Sequence, residues 1–130
     1  MQLNASATPD RAKLSTGRNT SRPIDLVHLS RYTLGDRSLE QEALELFCSQ
    51  SMVYLDRLAN ADSDKAWADA AHSLKGSARA VGAWRVAEAA AAAEALSGEA
   101  LMQDRKDTLD RLQRLLEETK SYVKSLLAER

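Results

Sequence analysis

The sequence predicts an all-α protein, an up-down-up-down four-helix bundle preceded by a short leading helix. Apolar residues recur at helical spacing through several long segments. The hydrophobic content is 44% with only 5% aromatic, and alanine and leucine supply most of it, which favours helices. The chain has 2 Pro and 5 Gly residues, and the connections between segments are short, so sequential helices are expected to be antiparallel neighbours.

Residues 1–23 are predicted to form a disordered tail, because they are rich in Ser, Thr and Asn and lack a hydrophobic period. The tail carries Arg11, Lys13, Arg18 and Arg22 against the single acidic residue Asp10. Its net charge is therefore +3, which leaves −4 for the remainder of a chain of net charge −1. One domain is expected over residues 24–130, since the chain has 130 residues.

Composition excludes several classes of protein. A net charge of −1 gives no electrostatic case for binding nucleic acid. No segment has the apolar character of a secretory leader or a membrane span, so no membrane association is expected. Cys48 is the only cysteine and cannot form an internal disulfide, which fits a reducing cytoplasm.

Pro23 precedes the leading helix, for which Asp25 is the predicted N-cap. This helix is expected to run through Leu34 and to end at Gly35 in a left-handed conformation. His28 lies on it and is interpreted as a structural or surface residue. Unlike the second histidine of the chain, it has no lysine three residues later.

The second helix is expected to begin after Asp36 or Ser38 and to end near Asn60. Its apolar residues recur on one side and predict the buried stripe; they are Leu39, Ala43, Leu46, Phe47, Val53 and Tyr54.

The third helix is predicted over 64–81, with Asp62-Ser63-Asp64 as loop and cap and Gly82 as its stop. Six apolar residues fall within roughly 40° of one direction on a helical wheel and predict its buried stripe; they are Trp67, Ala70, Ala71, Leu74, Ala78 and Val81. His72 points about 140° away from that stripe, and Lys75, Gly76 and Arg79 share its outward side.

The fourth helix is predicted from Trp84 to about Leu96, with Gly98 as its stop. Its alanine run, 89–93, would let it pack closely on the third helix, and Glu94 lies about 80° off its inward side. The last helix is predicted from Met102 to about Leu127. Its apolar stripe consists of Leu109, Leu112, Leu116, Val123 and Leu126.

The outward side of the third helix combines groups suited to phosphoryl chemistry. A neutral imidazole is a nucleophile near pH 7, a lysine one turn later supplies positive charge for a phosphoryl group, and a glycine removes a side chain that would block a close partner. This pattern predicts that His72 accepts phosphate. The alternative is an ordinary surface histidine among surface charges.

The run His72-x-Leu74-Lys75-Gly76-Ser77, with Gly82 ten residues after the histidine, resembles the signature of the histidine phosphotransfer (HPt) domain. Such domains are helical bundles that relay phosphoryl groups between receiver domains in two-component phosphorelays. The resemblance implies that His72 carries the phosphoryl group on Nε2, that Lys75 interacts with it and that Gly76 lets the receiver approach. The family often has Gln or Glu 22 residues after the histidine, and Glu94 occupies that position.

Supporting roles are expected for two further side chains. If Glu94 accepts a hydrogen bond from His72 Nδ1–H, it fixes the tautomer that leaves Nε2 able to attack; otherwise it is a solvated carboxylate. Arg79 would hold phosphate or meet an acidic receiver surface, or it is only a solubilising charge.

The sequence contains no nucleotide-binding loop or kinase motif, so we expect a carrier that is not an enzyme and has no cofactor. Mg²⁺ and the phospho-aspartate would come from the receiver. The expected partners are response regulator receiver domains and a hybrid sensor histidine kinase. A monomer is expected, since the face around His72 must stay accessible.

Two other functions stay open. A helical adaptor or inhibitor would dock on a kinase or receiver without carrying phosphate. A metal-binding bundle is disfavoured, because Asp69 and His72 give one carboxylate–histidine pair and His28, the only other histidine, lies on the leading helix.

Overall fold

The computed structural model describes residues 19–96 and 102–130, and within these ranges the chain is helical and contains no strand. The all-α class is therefore confirmed for the described residues. The predictions for the tail up to residue 18 and for Gly98 lie outside them. These two ranges contain five helices, α1 (Leu26–Thr33), α2 (Arg37–Ala59), α3 (Asp64–Val81), α4 (Trp84–Ala95) and α5 (Met102–Ala128).

Polar side chains begin the first three helices. Asp25, Asp36 and Ser63 each accept a hydrogen bond from the backbone amide three residues later, which satisfies one of the amides that a helix start leaves unpaired. The sequence left Asp36 and Ser38 as alternatives for α2, and Asp36 is the cap.

The end of α1 differs from the prediction. The helix ends at Thr33, and Leu34, not Gly35, is the first left-handed residue, with φ 54°. The Leu34 amide donates to the carbonyl of Ser30, so this bond completes the last turn before the chain reverses through Gly35, at φ 80°.

The four longer helices enclose one core, because α3 contacts α2 and α4, and α5 contacts the same two helices. The predicted stripe of α3 is confirmed, since all six of its residues are buried. In α5, Leu112, Leu116 and Val123 are buried, whereas Leu109 and Leu126 are partly buried. No helix in the described ranges has both the length and the apolar character needed to cross a bilayer.

The predicted stripe of α2 is correct for Phe47, which is buried, and for Ala43 and Tyr54, which pack partly buried against the core, and wrong for the other three residues. Leu39, Leu46 and Val53 were assigned to the buried side, but they are 46%, 56% and 49% exposed. The buried side lies about a quarter-turn away on the helical wheel. It is formed by Glu40, Leu44, Phe47, Ser51 and Leu58.

Two polar residues on the buried side of α2 explain this error. Arg130 donates to Glu40 Oε1 at 2.6 Å, and Ser51 Oγ donates to the carbonyl of Phe47 at 2.6 Å. Both partners compensate the loss of water around a buried polar group. A hydrophobicity pattern cannot detect such compensation, because Arg130 comes from the far end of the chain.

Asp25 ties the start of the domain to the turn between α3 and α4. Its amide donates to the carbonyl of Gly82 at 2.9 Å, and its carboxylate accepts from Trp84 Nε1 and from the amides of Asn19 and His28. Burial alone would raise the pKa of the Asp25 carboxyl, but these hydrogen bonds outweigh it and the pKa is lowered. The carboxylate therefore stays ionised while it holds the end of α3 in place.

The contact with Asp25 makes glycine necessary at position 82. Gly82 has φ 77°, and a Cβ atom there would lie 2.9 Å from the Asp25 carbonyl oxygen and 3.0 Å from its Cβ. Gly35 is also left-handed, but a Cβ at that position would meet nothing within 4 Å.

We therefore expect Gly82→Ala to lower the free energy of unfolding more than Gly35→Ala. Both changes place alanine in the left-handed region, at about 1–2 kcal/mol, and only Gly82→Ala adds the clash with Asp25. Urea denaturation followed by circular dichroism measures both. Equal losses would show that backbone strain alone matters at Gly82.

Candidate functional site

Close packing between α3 and α4 positions the site. Trp67 Nε1 donates to the carbonyl of Ala93 at 2.6 Å. This carbonyl lies in the last turn of α4 and also accepts from the amide of Leu96, which follows the helix. Buried alanines between the two helices allow their backbones to approach; they are Ala70, Ala71 and Ala78 of α3 and Ala87, Ala89, Ala90 and Ala93 of α4. Because Glu94 follows Ala93, the same contact fixes the position of Glu94 against α3.

Glu94 bridges the two basic side chains of the α3 motif. Its Oε2 lies 3.0 Å from His72 Nδ1, and its Oε1 accepts from Lys75 Nζ at 2.6 Å. The His72 side chain is 68% exposed, whereas those of Lys75 and Glu94 are 17% and 30% exposed. The imidazole therefore projects from a partly covered ion pair.

The carboxylate determines the tautomer of His72. An ionised carboxylate only accepts hydrogen bonds, so Nδ1 carries the hydrogen and the neutral ring has its lone pair on Nε2. No hydrogen bond from a described residue reaches Nε2. This nitrogen is therefore the one able to act as a nucleophile toward an incoming partner.

Glu94 is held in the ionised state. The hydrogen bond from Lys75 and the weaker one from His72 together outweigh partial desolvation, and the pKa of the Glu94 carboxyl is lowered. The carboxylate lies in the last turn of α4, at the negative end of the helix dipole, which disfavours it. The stability of α4 alone therefore does not explain an acidic residue at this position. Its hydrogen bonds with His72 and Lys75 of α3 do explain it.

Gly76 and Arg79 lie on the exposed side of α3 near His72. A Cβ atom at Gly76 would meet nothing within 4 Å, so the fold itself does not require glycine there. Glycine inside a helix is less stable than alanine by roughly 0.5–1 kcal/mol. Arg79 is exposed, and no acidic side chain of the described residues forms an ion pair with it.

His28, which belongs to α1, lies against the C-terminal end of α3 and is hydrogen-bonded through the other ring nitrogen. Its Nε2 is 3.0 Å from the carbonyl oxygen of Arg79, which only accepts, so Nε2 carries the hydrogen. The ring also packs edge-on against Trp84 and Tyr32. Nε2, which has no hydrogen-bond partner among the described residues in His72, is therefore bonded to the backbone of α3 in His28.

The sequence identified His72, Lys75, Gly76, Arg79, Gly82 and Glu94 as candidate site residues. The structure brings the imidazole, the lysine and the glutamate into contact, leaves Gly76 and Arg79 beside them without direct contact, and places Gly82 at the helix end against Asp25. The sequence assigned Trp67 only to the buried stripe and did not predict that its indole nitrogen donates a hydrogen bond to α4. Among the described residues, no group of three or more His, Cys, Asp or Glu side chains could hold a metal ion.

The lowered pKa of Glu94 predicts an acid-dependent loss of stability. A carboxyl whose pKa is lower in the folded state stabilises the fold when ionised, and this contribution disappears as the pH falls below about 4.5 through the folded pKa. The unfolding free energy of the native chain should therefore exceed that of Glu94→Gln at neutral pH. The difference should vanish once the pH has fallen below the folded pKa of Glu94, as measured by urea titration at a series of pH values.

Glu88→Gln is the control for this titration. Glu88 is an exposed carboxylate of the same helix and forms no ion pair with a described residue. Its removal should not produce a comparable pH-dependent difference. A pH-independent effect of Glu94→Gln would contradict the assigned role of the ionised carboxylate.

The site lies within a region that matches a known family. The family model for the Hpt domain matches residues 42–122, which include most of α2, all of α3 and α4 and most of α5. No significant match was found among curated proteins or among solved structures. Since the match covers more than half of the chain, this protein belongs to the Hpt domain family.

Proposed function

We propose that this protein is a phosphorelay carrier in which His72 accepts a phosphoryl group from a receiver-domain phospho-aspartate and passes it to the aspartate of another receiver domain. One observation carries the proposal: Glu94 holds Nδ1 of an exposed imidazole, so that the lone pair of Nε2 faces outward. Membership of the Hpt family supports the same reaction class.

In the proposed step, the Nε2 lone pair attacks phosphorus in line with the departing aspartyl oxygen. The N–P bond forms, the P–O bond breaks, and the aspartate leaves as a carboxylate. The ring gains positive charge while Nδ1 keeps its hydrogen, and the Glu94 carboxylate 3.0 Å away stabilises that charge. The reverse sequence transfers the group to a second aspartate.

Lys75 can contribute without leaving Glu94. A lysine ammonium has three donors, and one is used by Glu94 Oε1. The remaining two are available to the phosphoryl oxygens on His72, which lies one helical turn before Lys75. Arg79, exposed on the same side of α3, adds positive charge toward an anionic partner surface.

We further propose that residues 24–130 form an up-down-up-down four-helix bundle with α1 across one end, and that residues 1–23 are a tail. In this proposal the protein is a cytoplasmic monomer that does not bind ATP, nucleic acid or membrane. Receiver domains, including that of a hybrid sensor histidine kinase, supply Mg²⁺ and the phosphoryl donor. The contacts among the four longer helices support the bundle.

The direct test is phosphoryl transfer from labelled receiver domains of the same genome. The native chain should acquire a label that is stable to alkali and labile to acid, as expected of phosphohistidine, and His72→Gln should acquire none. His28→Gln is the matched control and should still be labelled, because His28 Nε2 is engaged by Arg79.

Labelling of His72→Gln would overturn the assignment of the acceptor. If active donors label neither the native chain nor His28→Gln, the phosphorelay proposal fails. Binding of those receivers without any label would instead support a helical adaptor that never carries phosphate.

Gly76→Ala should separate the fold from the transfer reaction. The added methyl group meets open space, so the free energy of unfolding should rise by about 0.5–1 kcal/mol. Transfer from a receiver should slow several-fold, because the methyl group lies where the partner approaches. Labelling by phosphoramidate, a small donor that needs little room, should be unchanged. Receiver transfer at the native rate would contradict this role of Gly76.

A further inference from the structure

One arginine of α5 joins three helix ends. Arg105 lies in the first turn of α5, and its Nη2 donates to Asp64 Oδ1 at 2.7 Å and to the carbonyl of Leu96 at 3.4 Å. Asp64 is the first residue of α3, and Leu96 directly follows the last residue of α4. A single guanidinium therefore connects the start of α3, the end of α4 and the start of α5.

The same guanidinium covers the indole ring of Trp67. Arg105 Cζ lies 4.9 Å from the centroid of that ring, and a cation over an aromatic face is attracted to it. The indole in turn donates from Nε1 to the carbonyl of Ala93 at 2.6 Å. The last turn of α4 is thus held twice, directly at Leu96 and through the indole at Ala93.

Glu94 lies between these two anchored carbonyls. Ala93 precedes it and Leu96 follows two residues later, so the backbone that carries Glu94 is restrained on both sides. Its carboxylate reaches His72 Nδ1 at 3.0 Å and Lys75 Nζ at 2.6 Å at the same time. A reactive site requires such distances to be held within about 0.5 Å by the residues around it. Movement of the last turn of α4 would therefore lengthen at least one of the two contacts.

The end of α4 also receives its positive charge from Arg105. The last turn of α4 contains Glu94 and no basic residue, although the negative end of a helix dipole favours a cation. Arg105 brings a guanidinium to this end from another helix. That charge acts against the field that disfavours the Glu94 carboxylate at the same place.

The stability of α5 does not account for an arginine at position 105. A cation in the first turn of a helix meets the positive end of its dipole, which disfavours it. The partner Asp64 is 54% exposed, and an ion pair open to water adds little stability. The Arg105 side chain is only 17% exposed, and its Nε is buried with no hydrogen-bond partner among the described residues. A buried donor of this kind carries a free-energy cost that another role of the side chain has to explain.

We propose that Arg105 is a positioning residue for phosphoryl transfer: by holding the last turn of α4, it keeps the Glu94 carboxylate on Nδ1 of His72. The proposal rests on the proposed function and adds to it a residue of α5. Without Arg105 the turn gains freedom, and Glu94 leaves Nδ1 for part of the time. The neutral ring then also adopts the tautomer with the hydrogen on Nε2, which has no lone pair there for attack.

The test compares Arg105→Gln with Arg85→Gln. Arg85 also joins two helices, since its Nη1 donates to Glu118 of α5 at 2.9 Å, but it lies in the first turn of α4 and not in the last. Each variant exchanges an arginine for glutamine and loses one ion pair between helices. A role in stability alone would therefore affect both variants in the same way, and urea denaturation measures how much stability each one loses.

Labelling of His72 by phosphoramidate measures the reactivity of the imidazole without a receiver. At about pH 8, where an imidazole is neutral, Arg105→Gln should lower the rate constant about fivefold, because the reacting nitrogen is no longer held in its reactive form. Arg85→Gln should stay within about twofold of the native rate. Arg105→Lys keeps the cation but not the planar guanidinium, so it should recover part of the loss.

The tautomer of His72 is the readout that a merely structural role would not move. Nitrogen NMR of the ring should show a larger fraction with hydrogen on Nε2 in Arg105→Gln than in the native chain or in Arg85→Gln. A native tautomer together with a native labelling rate in Arg105→Gln would overturn the proposal.

A double variant tests whether Arg105 acts through Glu94. If it does, Arg105→Gln should slow labelling no further in a chain that already carries Glu94→Gln, because the two changes then remove the same interaction. Equal slowing on the native and the Glu94→Gln backgrounds would show that Arg105 acts by another route, and the proposal would be wrong.

Asp64→Asn provides the test if Arg105→Gln does not fold. It removes only the carboxylate that anchors the guanidinium, and a change at this exposed side chain is not expected to unfold the protein. Labelling should slow about twofold, with a rise in the fraction of the ring that carries hydrogen on Nε2. The absence of both effects would contradict the positioning role.

The two proposals fail in distinguishable ways. If neither phosphoramidate nor any active receiver labels the native chain, the proposed function fails. If the native chain is labelled and Arg105→Gln is labelled equally fast, only the positioning role of Arg105 fails.

Discussion

The site depends on the close approach of α3 and α4. Alanines on both helices leave room for their backbones to come together, and the bond from Trp67 Nε1 to the carbonyl of Ala93 fixes how far one helix lies along the other. A shift of one residue would rotate Glu94 by about 100° and remove it from His72 and Lys75. The orientation of the imidazole therefore follows from packing in the core below it.

The two histidines show how environment selects a nucleophile. His72 is exposed on α3 and His28 is half-buried on α1, yet the decisive difference is the bonding: His72 is bonded through Nδ1 to a carboxylate and His28 through Nε2 to a carbonyl of α3. The first arrangement leaves the lone pair on Nε2, and the second places a hydrogen on Nε2 and bonds it to the backbone near the end of α3. The difference lies in the partner atoms and not in the residue type.

Three exposed apolar residues of α2 and Gly76 of α3 are features for which the fold provides no explanation. Burial in the bundle does not account for Leu39, Leu46 and Val53, and open space around Gly76 does not account for glycine in a helix. Of these residues, Leu46 lines a groove between α2 and α3. In contrast, Gly82 is explained by its left-handed φ and by the Asp25 backbone against it.

The sequence alone determined the all-α class, the helix boundaries to within one or two residues, the buried stripe of α3 and the motif from His72 to Gly76. These properties depend on local spacing, on caps such as Asp25 and Ser63, and on periodicity within one helix. The tertiary structure decided which side of α2 is buried, because the charge of Glu40 is compensated by Arg130, a partner 90 positions away that the local pattern does not reveal. It also decided that one carboxylate contacts both His72 and Lys75, since that depends on the registration of two helices through Trp67, whose hydrogen bond joins residues 26 positions apart.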